Sequence, residues 1–178
     1  MKSKLVSLET IDTYKKRIAQ MRKLGFSKEG DILFIEEVVA VSEQVENLKV
    51  IANVNGFIVE CDEPRAVGGT DQAARPVDLF LAAIANCLEI GALVYLSFSN
   101  LKVESIKTHL SAKFDKRALE ASKDAPLPGF YDFKLRWIVK TEEPPRKIEK
   151  VLQKVEASCP VMSTLRRKPT IRSILKLN

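Results

Sequence analysis

The stretch Leu79–Ser97, LFLAAIANCLEIGALVYLS, constrains this chain more than any other. It is apolar on nearly every side of a helix, so it either crosses a bilayer or runs through a protein interior. Asn86 and Glu89 stand in its middle, and it is alone among alternating strand patterns, which selects the interior over the membrane. Pro76 suits the first turn, where its missing N–H costs nothing, so a helix is predicted from Pro76 to about Ser99. Such a helix must be covered by other elements, and 178 residues are enough for one domain with a sizeable core.

The covering elements are legible on both sides of it. Ile11, Tyr14, Ile18 and Met21 recur at helical spacing, predicting a helix from about Thr10 to Leu24 that Gly25 ends. Val38–Glu46, Leu48–Val54 and Phe57–Cys61 are rich in β-branched residues and broken at Asn47 and at Asn55-Gly56, which predicts a meander of strands. A loop follows from Asp62 to Asp71. After the apolar helix, Ile106, Thr108, Leu110, Ala112 and Phe114 alternate as one inward strand row, and Tyr131, Phe133, Leu135, Trp137 and Val139 as another. Lys116–Gly129 between them reads as a polar, mobile loop. Pro144-Pro145 opens a helix with the stripe Ile148, Val151, Leu152 and Val155, continued by Cys159, and Cys159-Pro160 breaks or bends it. A last strand is expected over Thr170–Leu177. The uneven mixture of strands and helices points to α+β rather than a doubly wound sheet. The expected organisation is a single domain over 1–178, with 1–35 as an N-terminal helical extension.

Charge and cysteine usage narrow the function. The formal charge is +6, but its clusters (Lys15, Lys16, Arg17, Arg22 and Lys23; Arg166, Arg167, Lys168 and Arg172) are not interleaved with aromatics. They read as solvated faces rather than a nucleic-acid surface. The chain opens Met1-Lys2-Ser3-Lys4-Leu5, without the apolar core of a secretory leader, and its three cysteines cannot all pair. A soluble protein of the reducing cytoplasm is expected. His109 is the single histidine and no CxxC occurs, so neither a metal nor another cofactor is expected.

That leaves the thiols. Cys87 lies near the centre of the apolar helix and Cys159 on the apolar stripe of another, so both point to the interior and can meet there. Cys61, on a strand, reads as structural. The run Asp62-Glu63-Pro64, Gly68-Gly69-Thr70-Asp71 and Pro76-Val77-Asp78-Leu79-Phe80-Leu81-Ala82-Ala83-Ile84-Ala85-Asn86-Cys87-Leu88, with the later Ser158-Cys159-Pro160-Val161, resembles the OsmC/Ohr family. These are the osmotically inducible and organic-hydroperoxide-resistance proteins, and the likeness extends from about Glu36 to the C-terminus.

The resemblance implies an OsmC-like fold of antiparallel-rich sheets around a long buried helix, in an intertwined homodimer. It implies reduction of small organic hydroperoxides, with Cys87 as the attacking thiolate, Cys159 as its resolving partner and a dithiol as reductant. Two family features differ here. Members place a glutamate after the proline that opens the Cys87 helix, to orient an arginine beside the thiolate; this chain has Val77. Asp78 is about half a turn out of phase with Cys87. No arginine lies between Lys23 and Arg65, so Arg65 and Arg75 are the candidate catalytic cations. The alternative function is a non-catalytic dimer that binds a small hydrophobic ligand.

Overall fold

The computed structural model describes residues 5–120, 122–167 and 169–177; the opening residues Met1–Lys4 lie outside it. The chain is α+β, with two antiparallel sheets, and divides into two compact units, Ser7–Ala82 and Ala83–Asn178. The division falls inside the long helix.

The first unit carries α1 (Leu8–Leu24), α2 (Lys28–Phe34) and a three-stranded sheet of β1 (Ala40–Glu46), β2 (Lys49–Val54) and β3 (Phe57–Cys61) in the order β1-β2-β3. Ser7 caps α1 by accepting the N–H of Thr10, and Ser27 caps α2 by accepting that of Gly30. The short helix α2 is an addition to the elements expected from sequence. Its signal was the Ser27 cap followed by Glu29 and Asp31 in the first turn. Asn55 and Gly56 both have positive φ, 50° and 88°, which gives the β2–β3 hairpin a turn whose twist matches its strands.

The second unit is built on β4 (Val103–Phe114) and β5 (Phe130–Thr141), paired antiparallel with Leu110 opposite Leu135. Along β4, Ile106, Thr108, Leu110, Ala112 and Phe114 are half-buried and Ser105, Lys107, His109 and Lys113 exposed, as their alternation predicts, though Ser111 is half-buried as well. On β5 the predicted row needs correction. The register shifts opposite Ser111–Lys113, Asp132 takes φ 53°, and Phe130 rather than Tyr131 faces Phe114, with ring centroids 5.8 Å apart. A bulge reverses strand phase, so Tyr131 is 52% exposed. The 116–129 segment opens with a 3-10 turn, Lys116–Glu120, that buries Ala118.

Helix α3 (Pro76–Phe98) bridges the chain between the units in sequence, and α4 (Pro145–Ser158) and α5 (Pro160–Arg166) follow β5. The core is the α3 stripe Ile84, Leu88, Ala92 and Leu96, together with Val103, Ile148, Leu152 and Val155. Within the single chain α3 buries that one stripe and not its whole circumference. On its other faces Ile90 is 57% and Tyr95 37% exposed. The expected strand over Thr170–Leu177 is absent: these residues are irregular, and Ile171, Ile174, Leu175 and Leu177 are more than four-fifths exposed. Apolar residues become a strand only when they hydrogen-bond to an edge, and among the described residues this segment pairs with none.

Candidate thiol site

In the second unit α3 and the α4–α5 junction bring the Cys87 and Cys159 sulfurs to 3.2 Å, about 1 Å beyond disulfide bonding length. The approach follows from helical spacing. On α3 the buried residues recur at every fourth position, and Cys87 sits beside Leu88 at the edge of that stripe. On α4, Ile148, Leu152 and Val155 are buried and Cys159, 4% exposed, comes one turn further on. Gly91 lets the two helices close up, since a Cβ there would stand 3.0 Å from Val155 Cγ1. Polar anchors hold both helices to the sheet. Thr108 on β4 donates to the Glu89 carboxylate of α3, and Trp137 on β5 donates from Nε1 to Glu156 of α4 at 3.0 Å.

Pro160 decides what happens next. Cys159 has φ −67° and ψ 118°, ends α4 and caps α5, and Pro160 is the first residue of α5. The Cys159 sulfur accepts the N–H of Met162 at 3.5 Å. Burial pushes the Cys87 thiol above its ordinary value of 9.0, and the proton shared with Cys159 pushes the same way, while the Val161 backbone N–H pulls it down. All three cysteines are free thiols. Among the described residues no group of side chains has the composition of a metal site.

The candidate arginines belong to the other unit. Arg75 precedes α3, and its guanidinium grips the Asp78 carboxylate twice, at 2.8 and 2.6 Å, while its own N–H also donates to that carboxylate. Asp78 thus caps the start of the helix it belongs to. That pairing is what places a carboxylate on an arginine despite Val77. Arg65 is exposed in a 3-10 turn, Arg65–Val67. Cys61, at the end of β3, is buried, and burial followed by the charge of Glu63 pushes its thiol up.

One residue escaped the sequence reading. Asp62 is 1% exposed and accepts from the N–H of Glu63, Thr70 and Gln72, at 2.8, 3.0 and 3.1 Å, and from the Thr70 hydroxyl. These bonds hold its carboxyl at about 2, the Thr70 hydroxyl contributing most and burial opposing. The same loop needs Gly69, where a Cβ would fall 1.7 Å from the Glu63 carbonyl oxygen, and Gly68, with φ 94°. The available signal was an aspartate at the strand end with Gly68-Gly69-Thr70 eight residues on, a spacing at which a loop can fold back on a carboxylate.

Comparison with known proteins agrees with this architecture. The profile of OsmC-like proteins matches residues 69–173, more than half of the chain. A search of curated proteins finds no match. Among solved structures, an OsmC-like protein from Mycoplasma pneumoniae superposes with a TM-score of 0.61 at 14% identity, covering 74% of this chain and 88% of that one. An organic hydroperoxide resistance protein OsmC from Legionella pneumophila gives 0.55 at 20% identity, covering 74% and 90%. An organic hydroperoxide resistance protein from Elizabethkingia anophelis gives 0.57 at 17% identity, covering 74% and 89%.

Proposed function

This chain belongs to the OsmC-like family, and from that premise we propose that it reduces organic hydroperoxides with the Cys87/Cys159 pair. The observation that carries the reading is the 3.2 Å separation of the two sulfurs. In the proposed cycle the Cys87 thiolate attacks the terminal oxygen of the hydroperoxide. An S–O bond forms, the O–O bond breaks, and the alkoxide leaves as an alcohol after taking a proton. The Cys159 sulfur then attacks the sulfenic acid. The S–S bond forms as the S–O bond breaks, water departs, and a dithiol returns both cysteines to thiols by exchange. Arg75, already aligned by Asp78, and Arg65 are the proposed cations that draw the peroxide to the thiolate. No metal or other cofactor enters this scheme.

The active form we propose is a homodimer in a reducing compartment such as the cytoplasm. Its support is apolar surface that one chain leaves bare: Ile90 and Tyr95 on α3, Val41 and Phe57 on the first sheet, and the 170–177 segment. A membrane is not needed to cover α3 if a second copy does so. Sedimentation equilibrium tests this part, and a monomer at micromolar concentration contradicts it.

The chemical test is one equivalent of organic hydroperoxide followed by peptide mass mapping. A Cys87–Cys159 disulfide with Cys61 still reduced is the expected product. A bridge through Cys61, or two unreacted thiols in folded protein, defeats the reading. A second reading, a dimer that binds a small hydrophobic ligand without catalysis, draws on the upward push that burial gives the Cys87 thiol. It predicts an apolar molecule that co-purifies with the dimer in native mass spectrometry.

A further inference from the structure

Closing a disulfide asks different things of the two sides of the thiol pair. The sulfurs stand 3.2 Å apart and must approach by about 1 Å to bond. Cys87 lies inside the unbroken helix α3, which Thr108 of β4 holds through Glu89, two residues further on. Cys159 lies where the helix is interrupted, with φ −67° and ψ 118°, so the travel falls to its side. Two backbone bonds steady it there. Its N–H donates to the Val155 carbonyl, and its carbonyl accepts from the Ser163 N–H, each at 2.9 Å.

Both flanks of this elbow converge on Glu156, three residues before Cys159 and its neighbour on the helix surface. The Glu156 carboxylate accepts from the indole Nε1 of Trp137 on β5 at 3.0 Å. Its backbone carbonyl is one of the last four of α4, which have no partner within the helix, and it accepts from the Arg166 guanidinium of α5 at 3.3 Å. One residue thus ties α4 to the sheet and α5 back to α4. From these two bonds we infer that Glu156 is a positioning residue for Cys159, holding its sulfur in line with Cys87 for the closing step. The inference rests on the proposed thiol chemistry and names what sets the speed of its second half. Groups held in reacting geometry behave as if highly concentrated, and a misplacement of about 1 Å can cost about a hundredfold in rate. Glu156 acts through the helix that carries Cys159, so the reactivity of Cys87 itself should not depend on it.

The experiment treats the folded chain with glutathione disulfide and uses no peroxide. The Cys87 thiolate attacks it, forming a mixed disulfide and releasing one glutathione thiolate. The Cys159 thiolate then attacks the Cys87 sulfur, the internal S–S bond forms, and the second glutathione leaves. Quenched samples resolved by peptide mass mapping give the rate of each step. Glu156→Ala should slow the second step about tenfold, the worth of a hydrogen bond to a charged group, and leave the first near the unmodified rate. Glu156→Gln keeps an oxygen acceptor for the indole and should restore closure. Trp137→Phe removes the same bond from its other end and serves where Glu156→Ala does not fold. It should slow closure to the same degree, with no further loss when the two are combined. Closure indifferent to Glu156→Ala, an equal slowing of both steps, a glutamine variant as slow as the alanine one, or additive losses in the double variant overturns the inference. Failure of the peroxidase reading appears separately, as unbridged thiols after hydroperoxide in a chain that closes normally with glutathione disulfide.

Discussion

Asp62 and Cys87 are both acids withdrawn from water, and their surroundings drive them in opposite directions. Burial opposes ionisation at each. Asp62 nevertheless ionises more readily than a free carboxyl, because its own loop turns three N–H groups and a hydroxyl onto it. Cys87 shares a proton with Cys159, and burial moves its thiol up. Cys61 extends the series: burial is the main influence on it, a neighbouring carboxylate adds to that, and its thiol moves up too. The number of donors aimed at a group decides the sign, and burial alone does not. The loop that holds Asp62 is a finished structural device. Cys87, by contrast, is pushed toward its protonated form by its surroundings.

The largest test of this contrast removes the sulfur. Cys87→Ser should reduce dithiol-dependent hydroperoxide turnover to background, at least about a hundredfold, while urea unfolding shifts little, because a hydroxyl nearly fills the space of the thiol. Turnover that survives the substitution contradicts the proposed chemistry. Next in size is Gly69→Ala in the other region. The new methyl meets a backbone carbonyl rather than a yielding side chain, so a loss of about 3 kcal/mol is expected, at the upper end of overpacking costs. Denaturant unfolding measures it, and an unchanged midpoint would show that the loop around Asp62 is not rigid.

The pH dependence should separate the two groups by sign. The folded value of Asp62, about 2, lies below the unfolded carboxyl value of about 3.9. Its contribution to stability is whole above about pH 4 and disappears as the pH falls through about 2. Cys87 behaves in reverse. Its folded value lies above the unfolded one, so its contribution is whole below the ordinary thiol range and is lost as the pH climbs through the folded value. Asp62→Asn should flatten the acid limb of a stability–pH curve, and Cys87→Ala the alkaline limb. Either substitution acting on the other limb would break the comparison. Hydroperoxide turnover, which requires the thiolate, should keep rising with pH past 9.0.

What sequence could reveal of these regions follows the range of the interactions. The α3 helix was legible because Pro76 and a long apolar run act locally, and the β4 row because alternation is local. The sulfur pair was legible as a possibility, since both cysteines continue apolar stripes, but its distance depends on Gly91 and Val155 coming together from different helices. Asp62 shows in the sequence only as the start of a loop and of the family's run, because its donors lie up to Gln72 and only the folded chain turns them inward. Asp132 moved the β5 row by adopting a positive φ that an aspartate tolerates without announcing it. The 170–177 segment is rich in apolar residues and forms no strand, because pairing requires an edge that local sequence does not supply.

The smallest effect expected is at Gly91, and it tests whether the thiol pair depends on the helix contact beneath it. Alanine there gains up to about 1 kcal/mol of helix propensity. Its Cβ would sit 3.0 Å from Val155 Cγ1, so α4 must give by a few tenths of an ångström. The two terms nearly cancel, and Gly91→Ala should change stability by about 1 kcal/mol or less. The geometric consequence is more specific than the energetic one. Val155 lies one helical turn before Cys159, so displacing it moves the Cys159 sulfur relative to Cys87. Closure of the disulfide after hydroperoxide should therefore slow several-fold, while alkylation of Cys87 stays close to the unmodified rate. Quenched-flow mass mapping separates the two steps. If both slow together, the contact supports the whole site and not the sulfur separation; if neither changes, the junction at Pro160 fixes Cys159 without help from Val155.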